Sequence, residues 1–196
     1  MTRLSFSILI SVFCLSCFGQ TTDSLNISLW TPPSWFSADK KLLHNNLNNY
    51  KFSNDQINQL VNDINTSTVL GVYYKYDPKV HSGLVPTIKF YVRQNNINDF
   101  EKFFLSIKTE IENVKSKVLN FKYIDSPKTI LVGQRKAFYA SSSYNLNIQT
   151  GEVANVRTKF VCIPIHKKYL YVTLIDNEKE DCSDLYMEII NKIRIE

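Results

Sequence analysis

Side chains able to act as general bases or nucleophiles are few and widely spaced in this sequence. The three histidines, His44, His81 and His166, lie in polar segments or in a predicted turn. A serine nucleophile needs a sharp turn and a partner histidine, and no G-x-S-x-G motif occurs. The sequence also contains neither a P-loop nor a dinucleotide-binding fingerprint. We therefore predict that the protein is not an enzyme and has no catalytic residue and no cofactor.

Metal-binding residue types are present, but their spacing does not define a metal site. Four carboxylates follow the last predicted strand, and they are Asp176, Glu178, Glu180 and Asp181. Their spacing matches no calcium-binding loop. Two cysteines outside the leader and three scattered histidines also lack the spacing of a zinc site. We predict no bound metal and interpret the carboxylates as a solvated turn.

The first 19 residues have the pattern of a secretory signal peptide. A single positive charge at Arg3 precedes an apolar run at residues 4–15, and small residues stand near Gly19. The run is shorter than the roughly 20 residues that a membrane-spanning helix needs. Cleavage after Gly19 would leave residues 20–196 as a single domain. We predict export, to the periplasm or out of the cell.

A competing interpretation of the leader involves Cys17. The sequence Leu15-Ser16-Cys17 is similar to the end of a bacterial lipobox, in which the cysteine is lipidated and becomes the first mature residue. The lipobox has an aliphatic residue three positions before that cysteine, where this chain has Cys14. The membrane is a predicted partner only if Cys17 is lipidated.

Cys162 and Cys182 are the cysteines that remain after removal of the leader. Exported proteins meet an oxidising compartment, so the two thiols could form a disulfide. The loop that such a disulfide closes has about 20 residues, for which the chain-entropy model gives a stabilisation of roughly 3 kcal/mol. The alternative is one small apolar core residue and one incidental thiol.

The composition indicates one strand-rich globular domain. The hydrophobic content of 44% supplies a core, and 12 Phe and 11 Tyr with only 5 Gly favour packed strands. Loss of Arg3 with the leader lowers the formal net charge from +5 to +4, and the charges are scattered. Scattered charge together with export predicts no nucleic-acid partner.

Apolar periodicity predicts the helices. A capping box beginning at Ser53 opens one helix, and Asn98 is predicted to cap a longer one. A last helix begins at Asp181 or Ser183. The apolar stripe of the longer helix comprises Phe100, Phe103, Phe104, Ile107, Ile111 and Val114, and that of the last comprises Leu185, Ile189, Ile190 and Ile193.

Alternating apolar and polar residues predict strands along the chain, and those at residues 129–176 are predicted to form a three-stranded antiparallel meander on which the helices pack. The predicted strands are residues 25–30, 69–76, 85–93, 119–125, 129–144 (with a bulge or a close backbone approach at Gly133), 153–165 and 169–175. Ser126-Pro127 is predicted to end the fourth strand, and Trp35 and Phe36 are predicted to fold back on the core.

The second and third strands predict a partner surface. Leu70, Val72, Tyr74 and Tyr76 are predicted to share one face, as are Ile88, Phe90 and Val92. The wet, basic and aromatic face opposite them would carry Tyr73, Lys75, Lys89, Tyr91 and Arg93. That combination is typical of single-stranded nucleic-acid platforms, but export makes a protein partner the better prediction.

The order of these elements resembles the PsbP-like proteins, named after an extrinsic protein of photosystem II. The similar segments are NISL at residues 26–29 with PSW at 33–35, INDFEKF at 97–103, and LVGQRKAFY at 131–139, which resembles the family's Gly-x-x-Ala strand. The resemblance covers most of residues 25–196. It implies an α+β fold, an antiparallel sheet with helices on both faces, shared with a small Ran-binding nuclear transport factor.

The resemblance also implies a class of function. Known PsbP-like members are mostly assembly or binding proteins without a catalytic motif. We therefore predict an exported, non-catalytic binding or assembly protein of the bacterial envelope, whose partner is an unknown envelope protein. Its binding surface would be a sheet edge or the basic and aromatic face described above. The alternative is a carrier of an apolar small molecule or lipid, held between the sheet and the Phe-rich helix.

Overall fold

The computed structural model describes residues 26–38, 67–81, 83–115, 118–147 and 151–196. Within them the chain forms a seven-stranded antiparallel sheet with a helix on each face, and a separate two-stranded ribbon. The predicted α+β architecture is confirmed. The predicted leader at residues 1–19, the lipidation site Cys17, His44 and the helix predicted from Ser53 lie outside the described residues.

The described strands and helices have the following bounds. The strands are β1 (Ile27–Ser28), β2 (Phe36–Ser37), β3 (Thr68–Tyr74), β4 (Thr87–Gln94), β5 (Leu119–Val132), β6 (Arg135–Asn147), β7 (Val153–Ile165), β8 (Lys168–Asp176) and β9 (Arg194–Ile195). The helices are α1 (Phe100–Lys115) and α2 (Ser183–Lys192). The large sheet has the order β2-β3-β4-β8-β7-β6-β5, and β1 pairs with β9.

The glycine predicted to form a bulge instead forms a turn. Gly133 has a φ of +60° and, with Gln134, connects β5 to β6 as a two-residue hairpin loop. Such loops favour residues that adopt positive φ, and glycine does so without steric cost. The predicted strand at residues 129–144 is therefore two strands, and the meander has four strands instead of three.

The turn predicted at Ser126-Pro127 is absent, because β5 runs through both residues to Val132. β5 is the last strand of the described sheet, and a proline on an edge strand removes no ladder hydrogen bond from a second neighbour. The register of β5 against β6 shifts between Asp125 and Lys128, on either side of the proline. The edge position thus accommodates a residue that would interrupt a central strand.

The Phe-rich helix α1 packs on one face of the sheet. Its buried residues Phe103, Ile107 and Ile111 contact Phe138 and Cys162, among others. The ring of Phe103 lies 5.4 Å from that of Tyr169, and the ring of Phe104 lies 4.9 Å from that of Phe138. These rings occupy the space in which the alternative prediction places an apolar ligand. Val114, predicted for the same stripe, is exposed.

Asp99, one residue after the predicted cap, caps helix α1. The Lys102 N–H donates to the Asp99 Oδ1 at 2.8 Å. This contact satisfies one of the backbone donors that the first helical turn leaves without an intrahelical partner. The helix therefore begins at Phe100. Asn98 and Asp99 are both good caps, and the sequence alone did not distinguish them.

Helix α2 packs on the opposite face, over β7 and β8. It buries Tyr186, Ile189 and Ile190 in the same cluster as Ile163 and Val172. The ring of Trp35 meets that of Tyr186 edge-on at 6.4 Å, as predicted for a residue folding back on the core. Phe36 was predicted to do the same, but it lies in the two-residue edge strand β2 and is exposed.

Candidate functional site

The five residues predicted to form a partner surface lie on two faces of the sheet. Tyr73 pairs with Ile88 across β3 and β4, so both side chains point to the α2 face. There the Tyr73 ring meets Phe90 edge-on at 6.3 Å. Lys89, Tyr91 and Arg93 alternate with Ile88 and Phe90 and therefore lie on the α1 face. The predicted surface is wrong, because the register between the strands separates its members.

The basic side chains of β4 also do not form a solvent-exposed face. The Arg93 guanidinium lies 5.2 Å from the centre of the Tyr171 ring and 3.6 Å from the Glu110 carboxylate of α1. Lys89 is partly buried, and desolvation lowers the pKa of its ammonium group. Lys75 lies beyond the end of β3 and near the Tyr76 ring, at 5.2 Å. These cations serve the packing of the sheet.

A register shift within β3 places Leu70 on a different face of the sheet from Val72 and Tyr74, with which it was predicted to share one. The pairing of β3 with β4 is irregular between Val69 and Gly71. Leu70 consequently packs with the α2 cluster, whereas Val72 and Tyr74 belong to a separate small cluster. Ile88, Phe90 and Val92 share one buried face, as predicted.

The two cysteines are free and lie on opposite faces of the sheet. Cys162 is buried in the α1 cluster, and Cys182 is buried in the α2 cluster. Of the two alternatives that the sequence leaves open, the disulfide is therefore not formed in this structure. A disulfide would require the last helix to pack on the same face of the meander as Cys162. The helix does pack on the meander, but on the opposite face.

We expect both thiols to be unreactive in the folded protein. Burial raises the pKa of both thiols, well above the ordinary value for Cys162, and the thiolate is the reactive form. A chain beginning at Gln20 should therefore resist maleimide when folded. Unfolding it without reductant should release two reactive thiols per chain. Finding no thiol after unfolding would show that the cysteines pair and would contradict the structure.

The carboxylates after β8 form part of a charge network centred on Arg157. Asp176 is only 2% exposed, and its Oδ1 accepts a hydrogen bond from Arg157 Nε at 2.8 Å. Its Oδ2 accepts one from the Cys182 N–H, also at 2.8 Å. Asp181 lies 2.9 Å from Arg157 Nη2, and these contacts hold the pKa of Asp181 well below its usual range. The solvated-turn prediction is wrong for Asp176.

Sequence reasoning did not single out Arg157, although it joins three elements. It lies on β7 directly opposite Asp176 on β8, and it reaches Asp181 before α2. The signal was available once the two strands were paired, because an arginine and an aspartate then face each other. No cluster of three potential metal ligands occurs within the described ranges.

The two described histidines have structural roles. The His81 ring stacks on the Tyr76 ring at 4.9 Å. His166 occupies the turn between β7 and β8 with a φ of +53°.

The exposed edge of β5 is the described feature best suited to binding a partner. Three large apolar side chains of this strand are more than half exposed, namely Leu119 at 57%, Ile124 at 54% and Leu131 at 66%. No described strand pairs with β5 on its outer side. An unpaired strand edge offers backbone donors and acceptors that an extended partner can satisfy.

The first and second halves of β5 are not equally suited to pairing with an added strand. Up to Lys128 the register against β6 shifts three times and the strand contains Pro127, features that discourage pairing with another strand. From Lys128 to Val132 each residue pairs in regular register with β6. We call residues 128–132 the β5 edge segment. Leu131 is its exposed apolar side chain.

Comparison with known proteins supports the fold. No protein-family model and no curated protein matches the sequence. LpqN of Mycobacterium tuberculosis, described as involved in cell envelope biogenesis, is 18% identical with a TM-score of 0.52, covering 88% of this chain and 84% of its own. Cyanobacterial PsbP from Synechocystis is 11% identical with a TM-score of 0.49, covering 92% and 98%. A Pseudomonas aeruginosa protein of unknown function, PA94, is 13% identical with a TM-score of 0.42, covering 64% and 78%.

At these identities the likeness concerns the fold alone. The shared fold with LpqN agrees with the sheet order and the helix on each face. That architecture is the one implied by the resemblance seen in the sequence, and the PsbP-like fold is confirmed. Neither described helix is both long and apolar enough to cross a bilayer.

Proposed function

We propose that the protein is an exported, non-catalytic binding or assembly protein of the cell envelope, and that it binds its partner along the β5 edge segment. The observation that carries this proposal is the regular edge at residues 128–132 with Leu131 exposed beside it. The partner is an envelope protein that adds an extended segment to the sheet. Lys136 on β6 is the cross-strand partner of Leu131, so the partner's segment should combine apolar and acidic side chains.

Two observations favour the envelope as the place of action. The first 19 residues have the pattern of an export leader, with lipidation at Cys17 as its alternative form. LpqN, which has the same fold, is described as involved in cell envelope biogenesis. A fold alone does not fix a function, so these observations support the location of the protein and not its chemistry.

The perturbed titratable groups favour binding over catalysis. Groups of an active site converge on a cleft with shifted pKa values. In the described part of the chain the shifted groups lie in packing contacts of the fold instead. Cys162, Tyr169 and Tyr171 are packed together beneath α1, and other shifted groups join two elements. The Tyr123 hydroxyl donates to Glu112 at 2.8 Å and joins β5 to α1. The Tyr139 hydroxyl donates to Asp125 at 3.2 Å, and burial with this carboxylate raises the pKa of Tyr139 to about 12.

Photo-crosslinking in the native host tests the proposal. A benzophenone amino acid at position 131 should capture one envelope protein through an extended, apolar and acidic segment. The same amino acid at Leu105 is the matched control, because Leu105 is 59% exposed but lies on α1. Equal capture at both positions, or no capture at position 131 in the envelope fraction, would exclude the β5 edge segment as the binding surface.

A further inference from the structure

A cleft of about 370 Å³ lies between the β5–β6 turn and the C-terminal strand β9. Residues 132–135 line one side and residues 193–195 line the other. Two arginines, Arg135 and Arg194, reach this one cleft from segments far apart in sequence. Its volume is within the range typical of small-molecule sites.

Arg194 is held in place by one edge of its guanidinium. Its Nη1 donates to the carbonyl oxygens of Asn191 at 2.7 Å and Ile193 at 3.0 Å. A guanidinium has five N–H donors, so Nε and Nη2 retain three of them. No described residue accepts a hydrogen bond from these three or forms an ion pair with Arg194. The donors that remain include the edge that binds an oxyanion with two parallel hydrogen bonds.

Arg135 adds a second uncompensated positive charge. Across the described part of the chain, no carboxylate lies within ion-pair distance of its guanidinium. Glu196 directly follows β9, but it forms no ion pair with either arginine among the described contacts. Glu188 on α2 pairs with Lys192 at 2.6 Å. Two guanidinium groups with no paired carboxylate make the cleft suited to an anion.

The rest of the lining is apolar. Val132, Ile193 and Ile195 supply hydrocarbon surface, and the position of a Cβ on Gly133 would meet no atom within 4 Å. A ligand can therefore approach the Gly133 backbone closely. We propose that this cleft binds a small amphipathic anion, with Arg135 and Arg194 holding its phosphate or carboxylate group and the apolar residues holding its hydrocarbon part. This site does not depend on the β5 edge segment binding a protein.

Titration of octyl phosphate into ¹⁵N-labelled protein beginning at Gln20 tests the site. We expect saturable shifts of the Gly133, Gln134 and Ile195 amide signals, and weaker binding of inorganic phosphate, which lacks the hydrocarbon part. Arg135→Gln and Arg194→Gln should each weaken octyl phosphate binding about tenfold or more, because each removes a charge-assisted contact. Arg135→Lys should bind at an intermediate level, since lysine keeps the charge but not the planar fork.

Two further arms identify the source of the anion and control for charge. Vesicles containing phosphatidylglycerol test a lipid headgroup, and capture by vesicles alone with the same dependence on both arginines would assign the oxyanion to a lipid. Lys108→Gln removes an exposed positive charge from α1, outside both the cleft and the β5 edge segment, and should leave binding within about twofold. Binding of neither probe, or binding that survives both arginine-to-glutamine substitutions, would overturn the site.

Discussion

Replacing Phe103 with alanine is expected to lower the free energy of unfolding by about 3–5 kcal/mol. Phe103 is 2% exposed and stands in the middle of the contact between α1 and the sheet. Its ring meets Tyr169 edge-on at 5.4 Å and lies 6.2 Å from the Phe100 ring. Truncation removes this apolar contact and leaves a cavity that packed neighbours cannot fill completely. The measurement is equilibrium unfolding in urea.

Leu105→Ala provides the matched control on the same helix. Leu105 is exposed, so its truncation should change the free energy of unfolding by no more than about 0.5 kcal/mol. If Phe103→Ala does not fold, Phe103→Leu should still show a measurable but smaller loss, because it retains much of the apolar volume. Equal effects of Phe103→Ala and Leu105→Ala would mean that α1 does not pack on the sheet through this stripe.

Replacing Arg157 with glutamine is expected to cost about 3–5 kcal/mol of unfolding free energy. The Asp176 carboxylate is 3% exposed in its side chain and would lose its cationic partner. An unpaired buried charge is far more costly than the loss of a surface pair. The substitution also removes the bridge from β7 to Asp181 at the start of α2. Lys115→Gln, which breaks an exposed pair with Glu112, should cost at most about 1 kcal/mol.

The effect of Arg157→Gln should depend on pH with a defined sign. Contact with Arg157 holds the pKa of Asp181 below its unfolded value of about 3.9, so this contribution to stability is complete above that pH. It is lost as the pH falls from about 4 towards the folded-state pKa. The stability difference between wild type and Arg157→Gln should therefore narrow below about pH 4. A difference that stays constant down to pH 2 would contradict the role assigned to Asp181.

Local patterns in the sequence were sufficient for the elements that depend on one strand or one helix. Ile88, Phe90 and Val92 share one buried face on the α2 side of the sheet, as their alternation predicts. The apolar stripe of α2 is also found, although the prediction omitted Tyr186. In each case the burial of a side chain follows from the periodicity of its own element.

Features that depend on pairing between strands could not be predicted from local patterns. The face of Tyr73 relative to Lys89 depends on the register of β3 against β4. The tolerance of Pro127 depends on β5 being an edge strand, which the strand order decides. Gly133 gives the same local signal for a bulge and for a turn. A one-residue change of register moves a side chain to the other face of the sheet. These errors arise because local patterns do not reveal which strands pair and in which register.

A sheet edge was one of the two predicted binding surfaces, but the strand that forms it could not be predicted, for the same reason. Nothing in the sequence of residues 128–132 separates an edge strand from a central one until the neighbours of the strand are known. The pairing of Arg157 with Asp176 likewise requires the β7–β8 register. The alternating pattern did identify basic and aromatic side chains on β4, but the structure uses Arg93 to contact Tyr171 and Glu110.

Crosslinking from position 131 in the native envelope is the most direct test of the proposed function. The structure predicts capture of a single partner through an extended segment at position 131, and little or no capture at position 105. Co-expression of the wild-type chain as a competitor should reduce the crosslinked product from position 131. Co-expression of the Leu131→Asp chain should not reduce it. A partner captured equally from α1, or captured at position 131 through a helix, would contradict binding along the β5 edge segment.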